Sequence, residues 1–128
     1  LEMGGYGLMI DIMLPNVLSE GYFKNPLIPI DLMKATRQEA NEDKQALFKL
    51  MRATKERPDY RPELKKIATP TIIIQGEKDT LFPVHMAQEV ADSIPNSKLV
   101  VIPFAGHTLN LEAIPQMVKA MKEFISFT

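Results

Sequence analysis

The chain contains no cysteine. That excludes a disulfide framework, a thiolate metal site and a thiol nucleophile, and it fits a reducing compartment, with the cytoplasm as the expectation. Neither sign of charge is in excess: 15 Lys and Arg stand against 16 Asp and Glu, a formal charge of −1. No stretch gathers enough basic residues to track a phosphate backbone, so nucleic acid is not an expected partner. Long apolar runs are missing as well. None approaches the roughly 18 to 20 residues that span a bilayer, and the chain does not open with the basic region, apolar core and small-residue cleavage site of a secretory signal. A membrane partner is not expected. The two histidines lack the supporting carboxylate spacing of a metal site. The ten prolines and six glycines are spread along the chain, as punctuation between elements and not as a low-complexity linker.

What is present is a globular composition, 45% hydrophobic and 24% charged over 128 residues, the length of one ordinary domain. The chain divides near Pro58 to Ala68 into two textures, residues 1–67 and 68–128. In the first, Leu8 to Leu14 is an apolar run interrupted by Asp11 and closed by Pro15, which reads as a short buried strand. Tyr22 to Ile30 carries Pro26 and Pro29 and reads as a connecting loop. Asp31 can cap a helix from Leu32. Ala40 to Thr54 is rich in helix formers and sets Leu47, Phe48, Met51 and Thr54 on one side. Its charged positions read as solvated faces.

The second texture is β-α-β-α. Thr71 to Gln75 holds three successive isoleucines, a run that suggests a strand covered on both faces of a parallel sheet, and Gly76 ends it. Val84, Ala87, Val90, Ala91 and Ile94 share a helical face, stopped by Pro95-Asn96 before a second strand, Lys98 to Ile102. A last helix begins near Pro115 and repeats apolar residues at Ile114, Met117, Val118, Met121 and Ile125. Strands alternating with helices mean crossover connections and an α/β layered domain.

In open α/β sheets, functional groups gather in the loops after the carboxyl ends of strands. Two such loops stand out: Gly76 to Pro83 with Asp79, and Pro103 to Thr108 with His107. Both open on the same edge of the sheet. A carboxylate bound to one imidazole nitrogen fixes the tautomer and frees the other nitrogen to exchange protons with a nucleophile and a leaving group. Asp79 is the candidate orienting acid and His107 the candidate base. His85, at a helix start, reads as a surface residue, and Glu112 as a structural hydrogen-bonding group.

Thr69 to Asp79 with Pro83, then Ile94-Pro95-Asn96-Ser97, then Gly106-His107, then Phe124, resemble the C-terminal part of the α/β-hydrolase fold family. The resemblance is close from about Ala68 to Phe127. It implies that Asp79, in the G-x-x-D turn, is the triad acid and His107, in the G-H loop, the triad base, both coming after a nucleophile in chain order. It places the helical region from Asp31 to Arg57 where the family carries the cap over the active site, with Phe23, Met33, Phe48 and Met51 as candidates to face an apolar substrate. Asp11 is a rival acid, because some members carry theirs after the sixth strand.

The family's G-x-S-x-G nucleophile elbow is absent. Ser19, Ser93, Ser97 and Ser126 all lack its flanking glycines. Met3-Gly4-Gly5-Tyr6 resembles the family's stretch just after the nucleophile, with Glu2 where Ser would stand; the preferred alignment instead takes Gly7 to Leu14 as the sixth strand. The expected fold is therefore a partial α/β-hydrolase fold, a short parallel sheet with flanking helices and a helical cap segment. The expected function is that of a C-terminal portion of a serine-type hydrolase acting on a carboxylic ester or related small substrate, its nucleophile missing from this chain. Catalysis of this type needs no metal or organic cofactor. The alternative is a non-catalytic binding or interaction module. An unpaired sixth-strand edge would call for a second copy of the chain or the missing N-terminal half.

Overall fold

The computed structural model describes residues 5–39 and 44–127. Its first element is a helix, α1 (Gly5–Val17), not the strand expected at Leu8 to Leu14. Ile10, Leu14 and Leu18 recur every fourth residue and are buried, while Asp11, Ile12 and Met13 between them are exposed. That is a helical stripe, and burying it outweighs the one intrahelical N–H bond that Pro15 cannot make. The sixth-strand assignment of Gly7 to Leu14 is thereby overturned, and with it the free strand edge on which the expectation of a second copy rested. Glu2, Met3 and Gly4, the start of the other alignment, lie outside the described residues, as do the side chains of Leu8 and Met9.

The stretch expected to be a loop begins instead with a short helix, α2 (Glu20–Lys24). Ser19 caps it by accepting the Tyr22 N–H at 3.2 Å. Tyr22 buries its ring against Ile10, Leu14 and Leu18. Its hydroxyl accepts the Ile28 N–H at 3.1 Å, tying down the proline-bearing turn. Helix α3 (Ile30–Glu39) comes next, with Asp31 in its first turn rather than before it, where its charge faces the positive helix end. Ile30 and Met33 complete the first core cluster.

Helix α4 (Lys44–Glu56) turns Phe48, Leu50 and Met51 outward, each more than half exposed; the Leu47 side chain and Ala40 lie outside the described residues. A 3-10 turn (Arg61–Lys66) crosses the seam. Arg61 there bonds Asp59 at 2.8 Å and Glu89 at 3.3 Å.

Strands β1 (Thr71–Gly76) and β2 (Ser97–Ile102) pair in parallel, Thr71 opposite Ser97 and Gly76 opposite Ile102. Helix α5 (Val84–Ser93) is their crossover. After β2 come a four-residue turn of helix, α6 (Leu109–Glu112), which the apolar periodicity does not mark, and α7 (Ile114–Phe127). Ile72, Ile73 and Ile74 are half-buried, less covered than the isoleucine run suggests, because among the described residues the sheet has two strands. A second core cluster of Ile102, Ala105 and Ala113, backed by Ile74, Leu109 and Met117, joins the end of β2 and the loop after it to α6 and α7. Among the described residues no helix is long and apolar enough to cross a membrane.

Candidate active site

Two loops leave the carboxyl ends of the paired strands side by side. The Glu77 N–H donates to the Ile102 carbonyl at 2.9 Å and the Lys78 N–H to the Ala105 carbonyl at 2.8 Å, extending the ladder past the strands into both turns. Gly76 makes this approach possible: a Cβ there would stand 2.1 Å from the Gly106 carbonyl oxygen. Phe104, in the second loop, adopts a left-handed backbone with φ of 61°, a conformation that costs a non-glycine residue about 1–2 kcal/mol. Its N–H donates to the Glu77 carboxylate at 3.0 Å, and that bond holds Glu77 below its ordinary carboxylate range.

Asp79 is buried, with 7% of its surface exposed, and has four donors. Oδ1 accepts the N–H groups of Leu81 and Phe82, both at 2.9 Å. Oδ2 accepts Gln75 Nε2 at 2.9 Å and faces His107 Nδ1 at 2.9 Å. Burial opposes charge on this carboxyl. The Phe82 N–H, His107 and the Gln75 amide outweigh it and hold Asp79 below the ordinary aspartate range. An ionised carboxylate only accepts, so the proton between the two groups belongs to Nδ1, and Nε2 is the nitrogen open to proton exchange. The Phe82 ring lies 5.6 Å from the imidazole, centroid to centroid and tilted by 33°, and limits its rotation.

A depressed carboxylate stabilises the fold above the ordinary aspartate range and loses that contribution as pH falls through its own lower value. Acidification across that window is therefore expected to destabilise the chain. Asp59, held to about 2 chiefly by the Arg61 guanidinium, titrates in the same direction, so Asp79→Asn is the comparison that isolates Asp79. Circular dichroism of chemical unfolding at stepped pH should show a shallower acid dependence in that variant, together with a loss at neutral pH of about 1–3 kcal/mol for the buried bonds left ill-matched. An acid dependence identical to the parent's would contradict the assignment.

The other sequence candidates fall elsewhere. Asp11 lies on α1 and pairs with Lys34 of α3 at 2.6 Å. His85 is exposed in the first turn of α5. Met33 belongs to the core, whereas Phe23, Phe48 and Met51 are exposed. Among the described residues no three His, Asp or Glu side chains cluster as metal ligands would. The four serines have hydroxyls bound to main chain: Ser19 caps α2, and Ser93, Ser97 and Ser126 donate to the carbonyls of Glu89, Ala91 and Lys122.

Glu112 is a brace, in keeping with its expected structural role: Oε2 accepts the Ser19 and Gly106 N–H groups at 2.9 and 3.0 Å. Gln75, Thr80 and Thr108 carry hydrogen bonds around the pair that the sequence does not announce; for Gln75 the one signal is a polar side chain closing an isoleucine run. A cleft of about 830 Å³ runs beside the His107 loop, lined in part by Ser19, Tyr22, Leu27, Phe104, Leu111 and Glu112, but neither Asp79 nor His107 lines it.

Similarity to known proteins has the same outline. RutD of Pseudomonas syringae pv. syringae (strain B728a), named for carbamate hydrolysis, is 32% identical over 68 residues, which cover 53% of this chain and 26% of that protein. An esterase from Thermogutta terrifontis superposes with a TM-score of 0.82 at 28% identity, covering 97% of this chain and 45% of that one. The hydrolase MGS-M2 from a deep-sea metagenome library superposes with a TM-score of 0.81 at 27% identity, covering 97% and 46%. The chain thus spans less than half the length of these relatives. The profile of the alpha/beta hydrolase fold matches residues 28–114, from α3's approach through the whole acid and histidine region, and the chain belongs to that family.

Proposed function

We propose that this chain is the acid–base portion of a hydrolase that cleaves a carboxylic ester or related small substrate through a nucleophile–His107–Asp79 triad, its nucleophile lying outside these 128 residues. The observation that carries the reading is the 2.9 Å contact of His107 Nδ1 with a buried carboxylate, taken together with the fact that all four serine hydroxyls, wherever they lie in the chain, are already bound to main chain. The esterase and carbamate-hydrolase names of similar proteins support a substrate attacked at an acyl carbon.

In this reading His107 Nε2 takes the proton of the nucleophile's hydroxyl as its oxygen bonds to the acyl carbon. Asp79 stabilises the imidazolium, and Nε2 returns the proton to the departing alkoxide, leaving an acyl-enzyme. Water then attacks with His107 again as base, releasing the acid and restoring the nucleophile. The partner this chemistry requires is the polypeptide segment that supplies the nucleophile and the oxyanion donors.

The experiment is hydrolysis of an aryl ester by the purified 128-residue chain. Turnover at the uncatalysed background is expected, because losing the nucleophile removes several orders of magnitude even when the other triad members remain. Turnover that His107→Ala abolishes would place a nucleophile inside the chain and overturn the proposal that it lies outside.

A further inference from the structure

The residue after the acid and the residue after the base reach back to the same helix end. Thr80 Oγ1 donates to the Asn16 carbonyl at 3.1 Å. Thr108 donates to the Val17 carbonyl twice, from Oγ1 at 2.7 Å and from its N–H at 3.1 Å. Two residues on, the Ser19 N–H shares Glu112 Oε2 with the N–H of Gly106, which precedes the base. The last carbonyls of a helix have no intrahelical partner and carry its negative end, so they are strong acceptors. Here they are taken up by the two loops that carry the site.

We propose that the joint between α1 and α2, Asn16–Ser19, is a positioning element of the Asp79–His107 pair, with Thr80 and Thr108 as the positioning residues that act through it. The inference rests on the pair being the acid and base of the site. Asp79 is secured by Gln75 at the end of β1 and by Leu81 and Phe82 of its own loop. His107 has no such set; beyond Asp79 and the Phe82 ring, its place is set by the main chain of residues 105–108. That course is bonded to the joint, and it runs so close that a Cβ on Gly106 would lie 2.8 Å from the Ser19 nitrogen. The helical segment is thus wired to both loops from one point, and a displacement of α1 moves acid and base together. Because two hydroxyls share one anchor, losing either leaves the other loop attached. Losing both leaves the histidine loop held to the joint by the Thr108 N–H and the Glu112 bridge alone.

The test is the His107 tautomer in the ¹⁵N-labelled 128-residue chain, read by long-range proton–nitrogen NMR, with exposed His85 as internal reference. The parent should show His107 protonated at Nδ1. In Thr80→Val with Thr108→Val, which keeps shape and removes only the hydroxyls, that form should fall about twofold or more while His85 stays unchanged. Each single valine should give a smaller loss in the same direction, and it stands in should the double variant not fold. Serine at both positions should restore the parent spectrum. A purely structural role would lower the thermal midpoint and leave the tautomer alone. An unchanged tautomer in the folded valine variants, or serine variants no better than valine, overturns the joint's role. A parent without the Nδ1–H form overturns the pair itself, which separates the two failures.

Discussion

Replacing His107 with alanine, in a polypeptide that joins this chain to a segment bearing the G-x-S-x-G elbow, is expected to lower kcat for an activated ester on the order of 10⁶-fold, with residual catalysis from binding and oxyanion donors alone. The size comes from the geometry. With Nδ1 held by Asp79 Oδ2 at 2.9 Å, Nε2 is the group that can take the nucleophile's proton, and the four serines have hydroxyls already bound to main chain. Asp79→Asn should cost less, about 10⁴-fold, because it turns an acceptor-only carboxylate into an amide that can favour the wrong tautomer while leaving the base in place. Steady-state kinetics with an aryl ester reads both. A His107→Ala variant within tenfold of the parent would remove His107 from the chemistry.

The second large effect is one of stability. Gly76→Ala puts a methyl group 2.1 Å from the Gly106 carbonyl oxygen and 2.6 Å from that of Ala105. Both neighbours are backbone, so relief comes only by parting the acid loop from the histidine loop. That breaks the Lys78 N–H bond to Ala105 and the Glu77 N–H bond to Ile102, over a core of Ile102, Ala105 and Ala113. A loss of about 3 kcal/mol is expected, read as a lowered urea midpoint, and with it the His107 contact to Asp79. Gly21→Ala is the matched control. Its Cβ would meet Ser19 Oγ at 3.6 Å, an ordinary contact within helix α2, and the midpoint should hold or rise slightly. Equal effects at the two glycines would refute the close-approach argument.

The parts of this architecture that are local in the chain are legible in the sequence. Three isoleucines ending at Gln75-Gly76 announce β1, Pro95-Asn96 ends the crossover helix, and Asp79 and His107 stand in the loops directly after the strands, where α/β sheets collect their chemistry. The parts that depend on distant backbone are not. Seven residues from Leu8 to Leu14 look alike as buried strand or helix. The fourfold spacing emerges only when Leu18 and Tyr22 join Ile10 and Leu14 in one cluster. Thr80 and Thr108 carry no mark of their role, because their acceptors are main-chain carbonyls 64 and 91 positions away, and a carbonyl has no sequence signature. The outward face of α4 is a related case. A helical apolar stripe shows that a surface is apolar, and only the packing shows whether anything covers it.

The central claim, that Asp79 and His107 work as one unit, is tested most directly by a double-mutant cycle in the elbow-bearing polypeptide. Asp79→Asn, His107→Ala and the double variant are compared by kcat on one aryl ester. Residues of a single triad are strongly non-additive, so the double variant should be no slower than His107→Ala alone. A double variant slower than His107→Ala by the full factor lost in Asp79→Asn would mean that the two act independently, and would contradict the account.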